Sequence, residues 1–112
     1  MDIFSALAEP TRRDILILLA NKGRLPASDI YRKFKVTPPA ISQHLKVLRE
    51  AKLVDVTKQA QHRIYQINPE KMTELEEWLK QMTKIWDERF DRLDKILVTE
   101  RKKGVKKYGR SK

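Results

Sequence analysis

The stretch from Val36 to Val54, VTPPAISQHLKVLREAKLV, can fold in few ways. Ile41, Leu45 and Leu48 recur at i, i+4 and i+7, so on a helix they form one apolar stripe. Ser42, Gln43, Lys46 and Arg49 fall elsewhere on the same helix. Hydroxyl, amide and basic side chains are the types that hydrogen-bond base edges and phosphates in a DNA groove. A helix that offers one face to a core and the other to a polyanion is what a recognition helix requires. An ordinary amphipathic surface helix shares the periodicity, and the rest of the chain decides between the two.

The charge balance favours the first alternative. Lys and Arg number 25 against 15 Asp and Glu, a formal net charge of +10. That points to a polyanionic partner, nucleic acid before anionic membrane. The charge is unevenly placed. Residues 1–68 hold 12 basic and 6 acidic side chains, residues 69–100 hold 6 and 9, and residues 101–112 hold 7 and none. The middle segment is therefore not expected to lie on DNA, whereas the other two can. The length of 112 residues suits one domain with a small core. With no cysteine there is no disulfide framework, no thiolate chemistry and no cysteine metal site. Met1–Ala6 lacks the basic-then-apolar character of a signal peptide, and no run of about 18 apolar residues predicts a membrane span. A cytoplasmic location is the expectation.

Along the chain, Ile3, Phe4 and Leu7 predict a short helix that Glu9-Pro10 breaks. Pro10 suits the first turn of a second helix, and Gly23 suits its C-terminal end. Between them Ile15 to Leu19 are continuously apolar, which predicts a buried central helix. Arg24-Leu25-Pro26 reads as a connector. Ser28 is placed to cap a third helix through Ile30, Tyr31 and Phe34, and Thr37 to cap the fourth, with Pro38 or Pro39 in its first turn. Leu53–Val56 and Ile64–Ile67 predict a β-hairpin around a polar tip, Lys58 to His62. Asn68 is placed to cap a long last helix. In that helix Met72, Leu75, Leu79, Met82, Trp86, Arg89, Leu93 and Ile96 follow an alternating three- and four-residue spacing. Burial within a single domain would account for part of this seam. Its length argues that much of it packs against a second copy of the chain. The expected organisation is one domain over residues 1–100 and a basic, disordered tail over 101–112, serving either as a solvated tail or as a phosphate-binding arm.

Four helices, a hairpin and a long helix make a mainly α fold with a small β-hairpin wing: a winged helix-turn-helix with a C-terminal dimerisation helix. Three segments carry a closer likeness. Ala6–Leu19 resembles the opening signature of the ArsR-type bacterial and archaeal repressors. Ile41–Ala51 resembles their recognition helix, and Arg63–Asn68 their returning wing strand. The resemblance covers about residues 3–97 and implies a homodimeric transcriptional repressor of an inverted-repeat operator in double-stranded DNA. The Trp78-Leu79 and Ile85–Leu93 segments are similar to a subgroup whose genes often neighbour those of START-like (SRPBCC) ligand-binding proteins. A small-molecule inducer stays open.

The chain departs from the family pattern in three places. Metal-sensing members carry paired cysteines near residues 25–33 or His and carboxylate clusters on the last helix. Here there is no thiol, and His44 and His62 are the only histidines. A transition-metal site needs several convergent N or S ligands, so neither a metal site nor any other cofactor is expected. Lys52 stands where the family usually has Gly for a left-handed cap, and the wing tip Gln59-Ala60-Gln61 lacks the usual Gly. The expected DNA contacts are Ser42 and Gln43 on base edges, Pro39 against a thymine methyl, Thr37 and Lys46 on phosphates, and Gln61 and Arg63 on the backbone or minor groove. The expected dimer contacts are Ile3, Phe4, Leu7, Leu79, Met82, Trp86, Phe90, Leu93 and Ile96. Arg12 and Arg13 suit helix–helix bridging as well as DNA, and His44 suits packing better than base reading. No nucleophile elbow or Gly-rich phosphate loop accompanies the serines and histidines, so an enzyme is not expected. The rival reading is a sequence-tolerant winged-helix binder of RNA or architectural DNA. The aromatics argue against RNA, since they fall at core-like and seam positions rather than on a stacking face.

Overall fold

A computed structural model describes the backbone of residues 2–101 and the side chains of residues 2–93. Of the expected disordered tail over 101–112, Arg101 is the last residue of a helix instead, and residues 102–112, with the side chain of Ile96, lie outside what it describes. The order of elements is α1 (Ile3–Leu7), α2 (Pro10–Lys22), β1 (Leu25–Pro26), α3 (Ala27–Arg32), α4 (Pro38–Glu50), β2 (Val54–Gln59), β3 (His62–Ile67) and α5 (Pro69–Arg101). The described chain divides after Leu75 into two compact units.

In the first unit, α1 is too short to hold itself. Its start is capped by Asp2, whose carboxylate accepts the Ser5 N–H at 2.7 Å. Its last carbonyls are taken by two arginines of α2. Arg12 Nε donates to the Ala6 carbonyl at 2.7 Å, and Arg13 donates to that of Leu7 at 2.8 Å. Helix α2 starts on Glu9, which accepts the Arg12 N–H, with Pro10 in the first turn. It ends on Gly23, whose φ of 88° is open to glycine at no steric cost. Five consecutive apolar residues cannot all face inward on a helix. Ile15, Leu16 and Leu19 are buried and Leu18 partly so, but Ile17 stands 59% exposed, so the fully buried central helix is not realised.

Ser28 does not cap α3. The helix begins two residues earlier than a Ser28 cap would place it, with Pro26 in the cap position and no side chain bonding the first turn. The presumed connector is a strand instead: Leu25 pairs with Tyr65 and Pro26 with Ile64, giving a three-stranded antiparallel sheet in the order β1-β3-β2. Helix α4 starts as expected on Thr37, whose Oγ1 accepts the Ala40 N–H at 3.3 Å, with Pro38 and Pro39 in its first turn. Helix α5 starts on Asn68, whose Oδ1 accepts the N–H groups of Glu70 and Lys71 at 2.9 and 3.2 Å. The core gathers Ile15 and Leu19 of α2, Ile30 of α3, Ile41, Leu45 and Leu48 of α4, and Leu53, Val54 and Tyr65 around the sheet. Met72, in the first turns of α5, packs against it.

The second unit holds the rest of α5. On it Trp78, Leu79, Met82, Ile85, Trp86 and Leu93 are all exposed, and Trp86 meets Phe90 edge to face at 4.9 Å between ring centroids.

Candidate nucleic-acid interface

Burying Ile41, Leu45 and Leu48 turns the opposite side of α4 to solvent. Pro39, Ser42, Gln43 and Lys46 are all exposed there, and each lies three or four residues from its neighbours, so the four share one face. Thr37 is exposed at the helix start. Arg49, by contrast, is half-buried. A helix of 13 residues is about 20 Å long, and the major groove of B-DNA admits one.

The underside of α4 is fixed by a polar clamp as well as by the core. Arg12 bonds α1 through the Ser5 and Ala6 carbonyls and reaches His44 Nδ1 at 3.3 Å. A guanidinium can only donate, so Nδ1 accepts in this contact, and the ring's other nitrogen is Nε2. That nitrogen lies 3.9 Å from Glu9 Oε1. Burial acts to raise the pKa of Glu9. The Arg12 and Thr11 N–H groups, with His44 and Arg12 nearby, outweigh it and hold the carboxyl below the ordinary glutamate range. Arg12, Arg13 and His44 are thus bonded within the fold. The two arginines bridge α1 and α2 through backbone carbonyls, and His44 is hydrogen-bonded to Arg12.

Ser42, expected with Gln43 to contact base edges, is joined to Tyr31 of α3, with 2.8 Å between the two hydroxyl oxygens. Tyr31 is half-buried against the core, so the core-like position expected of it holds for the ring but not for the phenol.

The hairpin is tighter than expected. Its strands run up to Gln59 and His62, so the tip is only Ala60-Gln61. Ala60 takes a φ of 55°, the left-handed value that glycine usually supplies at the first position of such turns. From Thr57 to Arg63 every residue is exposed, so the wing leaves the core behind. Gln61 is on the tip and Arg63 on β3. The register places Arg63 opposite Lys58, which the sequence pattern had left in a polar loop. Like charges directly opposite on a sheet repel, and a phosphate between them would relieve the cost. Counting alternate residues back from the tip would have found Lys58, once the tip was known to be two residues long.

The expected dimer residues divide. Ile3 and Leu7 pack against the core of the first unit, while Phe4 is 49% exposed. Leu79, Met82, Trp86 and Leu93 are exposed on α5, and Phe90 is half-buried. Among the described residues no three His, Cys, Asp or Glu gather as a metal site would need, and no helix is long and apolar enough to cross a membrane.

Comparison with known proteins agrees with this geometry. Residues 9–56 match the sequence profile of the bacterial regulatory protein arsR family. The chain is 33% identical to the transcriptional repressor SdpR of Bacillus subtilis over 78 residues, covering 70% of this chain and 86% of that protein. It is 44% identical to the HTH-type transcriptional regulator Rv2034 of Mycobacterium tuberculosis over 66 residues, covering 59% and 61%. A crystal structure described as a possible transcriptional regulator for arsenical resistance superposes with a TM-score of 0.68 at 34% identity, covering 83% of this chain and 93% of that one.

Proposed function

Since the chain belongs to the arsR family of bacterial regulatory proteins, DNA-binding transcription regulators and not enzymes, we propose that it is a homodimeric, sequence-specific repressor of an inverted-repeat operator. Helix α4 lies in the major groove, where Ser42 and Gln43 meet base edges, Pro39 a thymine methyl, and Thr37 and Lys46 phosphates. The wing, with Gln61, Arg63 and Lys58, follows the backbone or the adjacent minor groove. The observation that carries this reading is the exposed polar face of α4 over a fully buried underside. A second copy packs on the exposed stripe of α5, with Phe4, Ile3 and Leu7 contributing. Contiguous exposed apolar side chains of this size mark association surfaces.

The proposed repressor is blind to metals. It has no cysteine, and one of its two histidines is bonded to Arg12. Zinc, nickel, cadmium and arsenite at stoichiometric levels are expected to leave the DNA complex intact. Saturable release by any of them, reversed by a chelator or a competing thiol, would overturn that part. The experiment for the whole reading is protection of the DNA flanking the protein's own gene. A protected inverted repeat supports it, and uniform coverage without sequence boundaries contradicts it.

A further inference from the structure

Building on the base-reading role given above to Ser42, we propose that Tyr31 is a positioning residue for recognition, and that its phenol makes Ser42 a committed hydrogen-bond donor to the DNA. A free serine hydroxyl is a rotor with one O–H and two lone pairs, so it reads donors and acceptors alike. In this protein the rotor is not free, because the Tyr31 hydroxyl lies 2.8 Å from Ser42 Oγ. A phenol is a much stronger acid than an aliphatic alcohol, so the favoured arrangement has Tyr31 donating and Ser42 accepting. That bond occupies one lone pair and turns the serine proton away from Tyr31, toward the solvent face that Ser42 shares with Gln43 and Lys46.

The Tyr31 ring packs against the core from α3, while Ser42 stands in the second turn of α4. The bond therefore joins the two helices at the edge of the reading face. Its consequence is a base preference. A serine held as donor favours an acceptor on the major-groove edge, N7 of a purine or O4 of thymine, and disfavours cytosine, which offers its N4 amino group there.

Binding-site selection from a randomised duplex pool tests this, using the full-length wild type, Tyr31→Phe, Ser42→Ala and the double variant. Phenylalanine keeps the ring and removes only the hydroxyl, and thermal melting checks that each variant is folded. The wild type is expected to return a consensus in which one base per half-site is a purine or thymine and depends on Ser42. Tyr31→Phe should admit cytosine at that base alone, with discrimination there falling about 3- to 10-fold, the range for one neutral hydrogen bond. The double variant should be no less selective than Ser42→Ala. An unchanged consensus for Tyr31→Phe, an equal loss at every base, or an unchanged consensus for Ser42→Ala would each overturn the proposal. A wild type that selects no consensus would instead sink the operator-binding reading on which it rests.

Discussion

Lys52 shows how one residue can hold strain for a junction to work. Its φ is 65°, a left-handed conformation that costs an L-residue about 1–2 kcal/mol. The conformation lets the Leu53 N–H reach the Leu48 carbonyl at 3.0 Å and the Lys52 N–H reach that of Arg49 at 2.9 Å. Those two bonds, with Leu48 and Leu53 both fully buried, form a Schellman motif that ends α4 and aims the chain into β2. The helix thus ends as the family's usual glycine would end it, and the strain is tolerated. Replacing Lys52 with Gly is expected to raise stability by about 0.5–1 kcal/mol, the strain relieved less the extra freedom glycine gives the unfolded chain. The urea midpoint measures it, and a lower midpoint would mean that Lys52 makes contacts that outweigh its strain. Tyr31 illustrates the opposite lesson. Its ring is legible as core from periodicity, but the partner of its hydroxyl depends on how α3 crosses α4, which no local pattern encodes.

At the scale of elements, what the sequence made legible is what local chemistry decides. Pro10, Gly23, Thr37 and Asn68 stand where cap and breaker preferences put them, and the buried side of α4 follows from the spacing of Ile41, Leu45 and Leu48. What was hidden depends on distant partners. The two-residue strand Leu25–Pro26 has no periodicity of its own and exists because Tyr65 and Ile64 pair with it. The wing register was hidden because Ala60 takes a glycine-like conformation without being glycine. That register puts Lys58 against Arg63, which yields a prediction with opposed signs. Arg63→Gln removes a like-charge repulsion of about 0.2–1 kcal/mol, so stability should hold or rise. The same change should weaken binding to specific and random duplexes alike. In a dimer two contacts vanish, so the slope of log affinity against log salt should flatten by about 2. Loss of stability with unchanged salt dependence would place Arg63 in the fold and not on the phosphates.

For the molecule as a whole, the proposed dimer is central because it would cover the exposed apolar stripe of α5. Glu substituted at Leu79 and Leu93 is expected to give monomers in sedimentation that keep their helical signal and bind DNA poorly, because one half-site supplies only part of the contacts. A wild-type monomer at micromolar concentration would contradict the dimer. A net charge of +10 favours any duplex by charge alone, so affinity by itself would not establish a repressor. The deciding measurement is the affinity of wild type and Gln43→Ala for a duplex carrying the protected inverted repeat and for a scrambled duplex of equal length. Gln43→Ala should cost about 1–3 kcal/mol per base contact on the repeat and almost nothing on the scrambled duplex. If preference for the repeat survives Gln43→Ala while deletion of residues 101–112 abolishes binding to both duplexes, the protein is a sequence-blind polyanion binder and the account of α4 as the reading helix fails.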